Sequence, residues 1–209
     1  MHTSPYRSLL ARLADPVRQS GPGAVPRLGT RQAPFPPILR GVLPVDPVPA
    51  AVLVAFVERG DPGILLTVRS PHLRKHAGQV SFPGGRIEVA DQGPDAAALR
   101  EAEEEIGLGP ASVEILGTLP DQWVLTGFRI TPVVGRIKGP FEPRPDPGEV
   151  SEVFELPFSH LLDERNHQTY HRDVAGTAVA MRDIRYGAHR IWGATAGILL
   201  TLREYALED

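Results

Sequence analysis

Residues 100–108 read Arg100-Glu101-Ala102-Glu103-Glu104-Glu105-Ile106-Gly107-Leu108. This stretch completes a predicted helix over residues 94–106, because proline suits the first turn of a helix and glycine suits its carboxyl-terminal cap. Pro94 and Gly107 stand at those two positions. Successive helical residues turn by about 100°, so the apolar side chains fall on a side that can face a core: Leu99, Ala102 and Ile106.

The same geometry predicts that three carboxylates, those of Glu101, Glu104 and Glu105, share one face of this helix. Like charges four residues apart repel each other, and the carboxyl end of a helix disfavours negative charge. Mg²⁺ or Mn²⁺ would offset both costs, because these hard cations prefer carboxylate oxygens. Taken alone, the pattern is more often a solvated acidic face paired with Arg100, with Glu103 pointing to solvent.

A pair of glycines precedes the helix. Pro83-Gly84-Gly85 follows a predicted short strand over residues 79–82. Because glycine has no side chain, its backbone can approach a ligand or a metal closely, although an ordinary turn would use the same residues. The glycine pair, the spacer and the acidic helix together form a long composite pattern that chance seldom produces.

This composite resembles the signature of the Nudix hydrolase family. Gly85 matches the first glycine of the signature, and residues 100–108 match its second half without a mismatch. The middle departs from it, because Asp91 stands where glutamate is usual and one extra residue separates it from Arg100. The resemblance implies an α/β/α sandwich with a mixed β-sheet and Mg²⁺ or Mn²⁺ as the cofactor.

The resemblance also implies a role for each matched residue. Glu101 and Glu105 would be metal ligands, with Glu104 as a supporting ligand and the Gly85 carbonyl as a further one. Arg100, Glu101 and Glu104 would be the catalytic residues. A carboxylate must also take a proton from the attacking water; besides Glu104, three later acids are candidates, although each is more often an ordinary surface acid: Glu149, Glu152 and Asp121.

Residues 69–76 form a local basic segment in a chain whose net charge is −3. The segment has no acid, and its basic and histidine side chains are Arg69, His72, Arg74, Lys75 and His76. Guanidinium groups match the geometry of phosphates, so the segment is a candidate anion site, although a solvated basic loop would have the same sequence. A zinc site is disfavoured, because leucine follows His72 where the His-Glu-x-x-His pattern needs glutamate.

From Arg69 to Gly85 the sequence resembles the coenzyme A pyrophosphatases, a subfamily of the Nudix hydrolases. The shared features are Arg-Ser, Leu-Arg, a histidine and Gly-x-Val-x-Phe-Pro-Gly-Gly. This implies an Mg²⁺- or Mn²⁺-dependent pyrophosphohydrolase that cleaves coenzyme A or an acyl-CoA to 3′,5′-ADP and 4′-phosphopantetheine or its acyl form. The implied substrate-binding residues are Arg69, Arg74, Lys75, His76, Gly84 and Gly85.

Two other functions stay open. A Nudix enzyme could act on another nucleoside diphosphate derivative, such as ADP-ribose or a dinucleotide, although the segment from Arg69 to Gly85 argues against this. A Nudix-fold sensor would instead bind a nucleotide-like ligand without cleaving it. Such a sensor is expected to have lost a ligand carboxylate or gained a DNA-binding arm, and the sequence indicates neither.

Apolar and β-branched runs predict the rest of the sheet. Residues 51–57 and 64–68 are predicted to form a hairpin. A last helix is predicted over residues 194–206, and further strands at 112–118, 129–137, 150–155, 168–173 and 177–185. Strands that lie before, between and after two helices indicate an α/β sandwich with a mixed sheet.

The first 48 residues differ in composition from the rest. Eight of the 22 prolines fall between Pro22 and Pro49, which excludes a regular helix or a central strand there. Before them, helical spacing predicts a helix over residues 5–18, from Tyr6, Leu9, Leu10, Leu13 and Val17. We therefore expect an arm over residues 1–48 that serves packing or dimerisation, and a Nudix hydrolase domain over residues 49–209.

The overall composition excludes several classes of function. The 209 residues carry 22 basic and 25 acidic side chains and no cysteine, so nucleic acid and anionic membranes are not attracted globally and disulfides are excluded. No apolar run approaches the roughly 20 residues of a membrane span, and no secretory signal is evident. We expect a cytoplasmic protein whose partner is a small-molecule substrate; a homodimer stays open.

Overall fold

The structure is a computed structural model that describes residues 4–13, 45–174 and 176–208. Its helices are α1 (Pro5–Leu13), α2 (Pro94–Ile106), α3 (Phe158–Leu162) and α4 (Gly193–Leu207). Its strands are β1 (Val48–Val57), β2 (Gly63–Arg69), β3 (Val80–Ser81), β4 (Gly84–Arg86), β5 (Val113–Thr118), β6 (Gln122–Trp123), β7 (Phe128–Ile137), β8 (Val150–Pro157), β9 (His167–Val174), β10 (Thr177–Tyr186) and β11 (His189–Ile191).

Eight of these strands form one mixed sheet around β1. This strand runs parallel to β7 and antiparallel to both β2 and β4. The main order is β3-β2-β1-β7-β5, with β4 joined to β1, β6 to β7 and β8 to β2. The other three strands form a separate antiparallel sheet in the order β11-β10-β9.

Helices cover both faces of the main sheet, which is why β1 is apolar along most of its length. On one face, Ala51, Leu53 and Ala55 share a buried cluster with the alanines of α2. On the other face, Val54 and Phe56 share a second cluster with residues of α1 and α4. The predicted α/β/α sandwich is therefore confirmed.

Helix α2 has the bounds that the sequence predicts. Pro94 lies in its first turn, and Gly107 caps its carboxyl end in the left-handed conformation with φ 71°. Ala102 and Ile106 are buried, and Leu99 packs against the same cluster. The capping glycine supplies the positive φ that other residues adopt only with strain.

The structure differs from the sequence-based expectations in several respects. Pro49 lies in β1, so the exclusion of a central strand up to Pro49 is wrong at its last residues. The glycine pair is not a plain turn, because Gly84 and Gly85 lie in β4 and pair with Val52 and Ala51 of β1. The short elements β6, β11 and α3 were not predicted from the sequence. Of the helix predicted over residues 5–18, the part beyond Leu13 lies outside the described residues.

Helix α1 is part of the core of the sandwich. Leu9 and Leu13 are fully buried. The centre of the Tyr6 ring lies 5.0 Å from the centre of the Phe56 ring and 5.7 Å from that of the Phe158 ring.

Within the described residues, no helix is both long enough and apolar enough to cross a membrane.

Leu13→Ala should therefore lower the free energy of unfolding by about 2–5 kcal/mol, because a fully buried leucine is replaced by a cavity. Denaturation in urea measures this change. Arg7→Ala, an exposed position on the same helix, is the matched control and should shift it by less than about 0.5 kcal/mol. Equal stability of the two variants would mean that α1 does not pack on the sheet in solution.

Candidate active site

A cavity of about 290 Å³ lies where β1, β4, β7 and α2 meet. Its charged lining comes from two guanidinium groups and three carboxylates, which are Arg69, Arg86, Glu101, Glu105 and Glu149. The remaining lining is apolar or glycine and consists of Ala50, Val52, Gly84, Gly85, Phe128 and Ile130. The cavity thus combines the acidic helix with the glycine pair and with the first residue of the basic segment.

Glu105 is the most deeply buried acid of the cavity, with 3% of its side chain exposed. The backbone N–H of Gly84 donates a hydrogen bond of 3.3 Å to its Oε2 atom, and Arg69 Nη1 lies 3.8 Å from its Oε1 atom. Burial raises the pKa of Glu105 to about 8, although Arg69 opposes the rise. The carboxylates of Glu101 and Glu149 raise this pKa further.

Glu101 lies one helical turn earlier and packs directly against β4. A Cβ atom placed on Gly85 would lie 2.3 Å from Glu101 Oε1, far inside van der Waals contact. Only glycine therefore fits at position 85 while the carboxylate keeps its place. Burial raises the pKa of Glu101, and the hydrogen bond from Arg100 Nη1, at 3.0 Å, opposes that rise.

Arg100 links the acidic helix to the segment before it. It donates to both carboxylate oxygens of Asp91 at 3.1 Å, to Glu104 at 3.1 Å and to the backbone carbonyl of Arg86 at 3.1 Å. The hydrogen bonds from Arg100 hold the pKa of Asp91 below its usual value. Asp91 therefore positions Arg100, despite the extra residue that separates the two in this sequence.

Glu104 does not join Glu101 and Glu105 in the cavity. Its side chain is 58% exposed and pairs with Arg100 four residues earlier. The sequence placed all three carboxylates on one helical face, but only two of them line the cavity. Glu103 is exposed, as predicted.

Backbone contacts bring Glu149 to the cavity. Ser70 N–H donates to the carbonyl of Glu149 at 2.7 Å, and Asp146 N–H donates to the carbonyl of Glu105 at 2.9 Å. The proline-containing loop over residues 138–149, just before β8, is thereby fixed to the end of α2 and to the end of β2. Glu149 is the one candidate proton acceptor from the later segments that lines this cavity.

The other two candidate acids have different neighbours. Glu152 lies 3.3 Å from His189, and Asp121 accepts a hydrogen bond of 2.8 Å from Thr131. Neither residue lines the cavity. Their contacts are typical of surface acids, which is the alternative that the sequence left open for both.

The basic segment over residues 69–76 lies only partly at the cavity. Arg69 lines the cavity, and its Nε atom is buried without a hydrogen-bond partner among the described residues. Arg74, Lys75 and His76 lie on an exposed loop and do not line the cavity. Their predicted contact with substrate stays a prediction.

Besides Ala50 and Val52 of β1, three lining residues were missed from the sequence, namely Arg86, Phe128 and Ile130. No local motif marks them. They reach the cavity because Ala50 of β1 pairs with Arg86 on one side and with Ile130 on the other. The parallel pairing of β1 with β7 joins residues about 80 positions apart, so only the sheet topology could have indicated them.

The donor set of the cavity fits a hard divalent cation. Three carboxylates outnumber the two guanidinium groups, and two of these acids have raised pKa values. Among the described residues, no group of three or more His, Asp or Glu side chains is arranged as a complete metal site. Mg²⁺ does not need one, because it usually binds one or two carboxylates together with substrate phosphates.

A profile of the NUDIX domain matches residues 47–175, more than half of the chain. The chain belongs to the Nudix hydrolase family. NudL, a Nudix hydrolase of Escherichia coli K12, is 45% identical over 159 residues, which cover 76% of this chain and 81% of NudL. NudL of Shigella flexneri is 44% identical over 165 residues, which cover 79% of this chain and 84% of that protein.

Two solved Nudix structures that this chain resembles are more distant from it in sequence. The Nudix hydrolase RenU of M. smegmatis is 22% identical, with a TM-score of 0.46, over 54% of this chain and 72% of RenU. The NUDIX domain of Shewanella oneidensis NrtR, solved with ADP ribose, is 21% identical, with a TM-score of 0.43, over 56% of this chain and 76% of that one. The Nudix match over residues 47–175 includes every residue that lines the cavity.

Proposed function

We propose that this Nudix hydrolase cleaves the diphosphate of coenzyme A or an acyl-CoA, with Mg²⁺ or Mn²⁺ as cofactor. The products would be 3′,5′-ADP and 4′-phosphopantetheine or its acyl form. The observation that carries the proposal is the meeting of Glu101, Glu105 and Arg69 in one cavity. Preference for coenzyme A is supported by the segment from Arg69 to Gly85, which resembles coenzyme A pyrophosphatases.

The charges of the cavity suit this chemistry. A divalent cation, when bound, would polarise the diphosphate and offset the charge that develops in the transition state. Glu101 and Glu105 would hold that cation from one helical face. Arg69 lines the same cavity with 27% of its side chain exposed, so its guanidinium would donate to a phosphate oxygen, and such charge-assisted hydrogen bonds are the stronger ones.

Hydrolysis joins one water molecule to one phosphorus atom and breaks the bridging P–O bond. The water loses a proton, and the leaving phosphate oxygen takes up negative charge. We assign the uptake of that proton to Glu149, because this acid lines the cavity beside Glu105. The assignment replaces Glu104, which faces solvent and Arg100.

Arg69→Gln should lower kcat/KM by about 10- to 100-fold, because a hydrogen bond to a charged group contributes about 1.5–3 kcal/mol. Steady-state kinetics with coenzyme A would measure the loss. Arg74→Gln, on the exposed loop, should change kcat/KM less than about threefold. A larger loss for Arg74→Gln would show that the loop folds onto the substrate and that the sequence-based assignment was right.

Glu149→Gln should lower kcat by about 100-fold with little change in KM, because it removes a proton acceptor but no positive charge. Glu152→Gln, three residues later and paired with His189, is the matched control and should keep full activity. An unchanged kcat for Glu149→Gln would return the role of proton acceptor to Glu104 or to another acid.

Product analysis tests the proposed substrate directly. The protein is incubated with coenzyme A and Mn²⁺, and the products are identified by mass. We expect 3′,5′-ADP and 4′-phosphopantetheine, and slower hydrolysis of ADP-ribose and of a dinucleotide. Faster hydrolysis of either competitor would contradict the preference for coenzyme A, and binding without any product would favour a sensor.

A further inference from the structure

Phe128 and Arg86 form a wall of the cavity and have no role in the proposed hydrolysis of the diphosphate. Both residues line the cavity, and the Arg86 guanidinium lies 5.6 Å from the centre of the Phe128 ring. Among the described residues, no carboxylate pairs with this guanidinium, although the other lining arginine, Arg69, faces Glu105. An aromatic ring and an unpaired guanidinium at a cavity wall are the two kinds of group on which nucleobases stack.

The register of the sheet places Phe128 and Arg86 at the other end of the cavity from the carboxylate of Glu105. Along β1, Val52 pairs with Gly84, Ala50 pairs with Arg86, and Val48 pairs with Phe128. The backbone N–H of Gly84 donates the hydrogen bond to the Glu105 carboxylate. Four residues of strand span about 13 Å, so the cavity extends from the carboxylate end to the aromatic end along one strand.

Small side chains leave the space between these ends open. Ala50 lies between Arg86 on one neighbouring strand and Ile130 on the other, and directly paired residues share one face of a sheet. Val52 and Ile130 add apolar walls. The cavity volume of about 290 Å³ lies just below the usual range for ligand cavities, about 300–1,000 Å³, so it suits one part of a large substrate.

We propose that Phe128 and Arg86 form a stacking platform for a nucleobase of the substrate, beside the ribose and phosphate that lead to Glu101 and Glu105. The proposal rests on the proposed function for the position of the diphosphate, but not for the binding of the base. For a base to stack between the Phe128 ring and the Arg86 guanidinium, these two groups must be about 7–8 Å apart, which is twice a van der Waals contact distance. Arg86 is exposed, so its side chain can move outward by the required 2 Å or so.

The test compares the binding of 5′-AMP with that of ribose 5-phosphate, measured by calorimetry with Mg²⁺ present. The two probes share the ribose and the 5′-phosphate, and ribose 5-phosphate carries a hydroxyl group where 5′-AMP carries the base. The unmodified protein should bind 5′-AMP about 5- to 150-fold more tightly, the range that stacking of one base supplies. Phe128→Ala should remove most of this preference and leave the affinity for ribose 5-phosphate unchanged, whereas Phe128→Trp should restore the preference.

Two further variants complete the comparison. Arg86→Lys keeps the charge but loses the planar guanidinium, so it should also reduce the preference for 5′-AMP. Leu125→Ala, an exposed position that does not line the cavity, should leave it unchanged. An unchanged preference in Phe128→Ala, or equal losses of affinity for both probes, would overturn the platform; an unchanged preference in Arg86→Lys would overturn the part assigned to Arg86.

The experiments distinguish an error in the stacking proposal from an error in the proposed substrate. Hydrolysis of coenzyme A is measured on the same preparations. If the protein prefers 5′-AMP through Phe128 but leaves coenzyme A intact, the proposed substrate is wrong and the platform stands. If coenzyme A is cleaved and Phe128→Ala keeps the full preference for 5′-AMP, the platform is wrong and the proposed function stands.

Discussion

Replacing Glu105 by glutamine should lower the rate of metal-dependent hydrolysis by about a thousandfold or more. Glu105 is the most buried acid of the cavity and lies beside Glu101, so its carboxylate is the best placed to hold a divalent cation. Stabilisation of transition-state charge by a bound metal is worth several kcal/mol. About 4 kcal/mol corresponds to a thousandfold change in rate.

The glutamine variant should keep its fold. The amide has nearly the shape of the carboxylate, its oxygen can still accept the hydrogen bond from Gly84, and burying a neutral group costs less than burying a charge. Steady-state rates over a range of Mn²⁺ concentrations, together with a thermal melt, separate loss of activity from loss of fold.

Glu103→Gln is the matched control for Glu105→Gln. The two positions lie on the same helix, and both substitutions remove one negative charge, but Glu103 is exposed and lies outside the cavity. Its activity should stay within about twofold of the unmodified protein. If Glu105→Gln retained its rate and its dependence on Mn²⁺, the metal would have to be held elsewhere, and the proposed chemistry would be wrong.

The sequence could predict those parts of the site that a single element carries. Glu101 and Glu105 are one helical turn apart, so the period of α2 alone places them together. The cap at Gly107 and the buried side of α2 follow from equally local rules. The helical period did not predict that Glu104 lies outside the cavity. The period gives the direction of a side chain around the helix axis, but it does not show where the wall of the cavity ends.

The rest of the site depends on contacts between distant segments. Arg69 and Glu149 are joined through the backbone of Ser70, and Arg86 and Phe128 meet because both β4 and β7 pair with β1. No local pattern contains this information. The attachment of the segment before β8 to the end of α2, through Asp146, likewise needed the structure.

Gly85→Ala should reduce hydrolysis by several hundredfold or more, although it adds only one methyl group. The new Cβ atom would lie 2.3 Å from Oε1 and 2.5 Å from the carboxyl carbon of Glu101. Ordinary carbon contacts are about 3.5–4.0 Å, so the carboxylate must move by more than 1 Å. A displacement of 1 Å at a catalytic group can cost about 100-fold in rate, and here it would move a proposed metal ligand.

The effect of Gly85→Ala should be specific to the site. Position 85 has no left-handed φ, so alanine brings no backbone strain, and the contact falls on a carboxylate at the edge of the cavity. We expect Mn²⁺ affinity, measured by calorimetry, to fall together with the rate while the thermal melt changes little. Gly109→Ala is the matched control, because its Cβ would lie 3.5 Å from Glu103 Oε1, an ordinary contact, and full activity is expected. Equal activity of the two variants would mean that Glu101 does not need its place against β4, and that the metal is not held between this helix and the glycine strand.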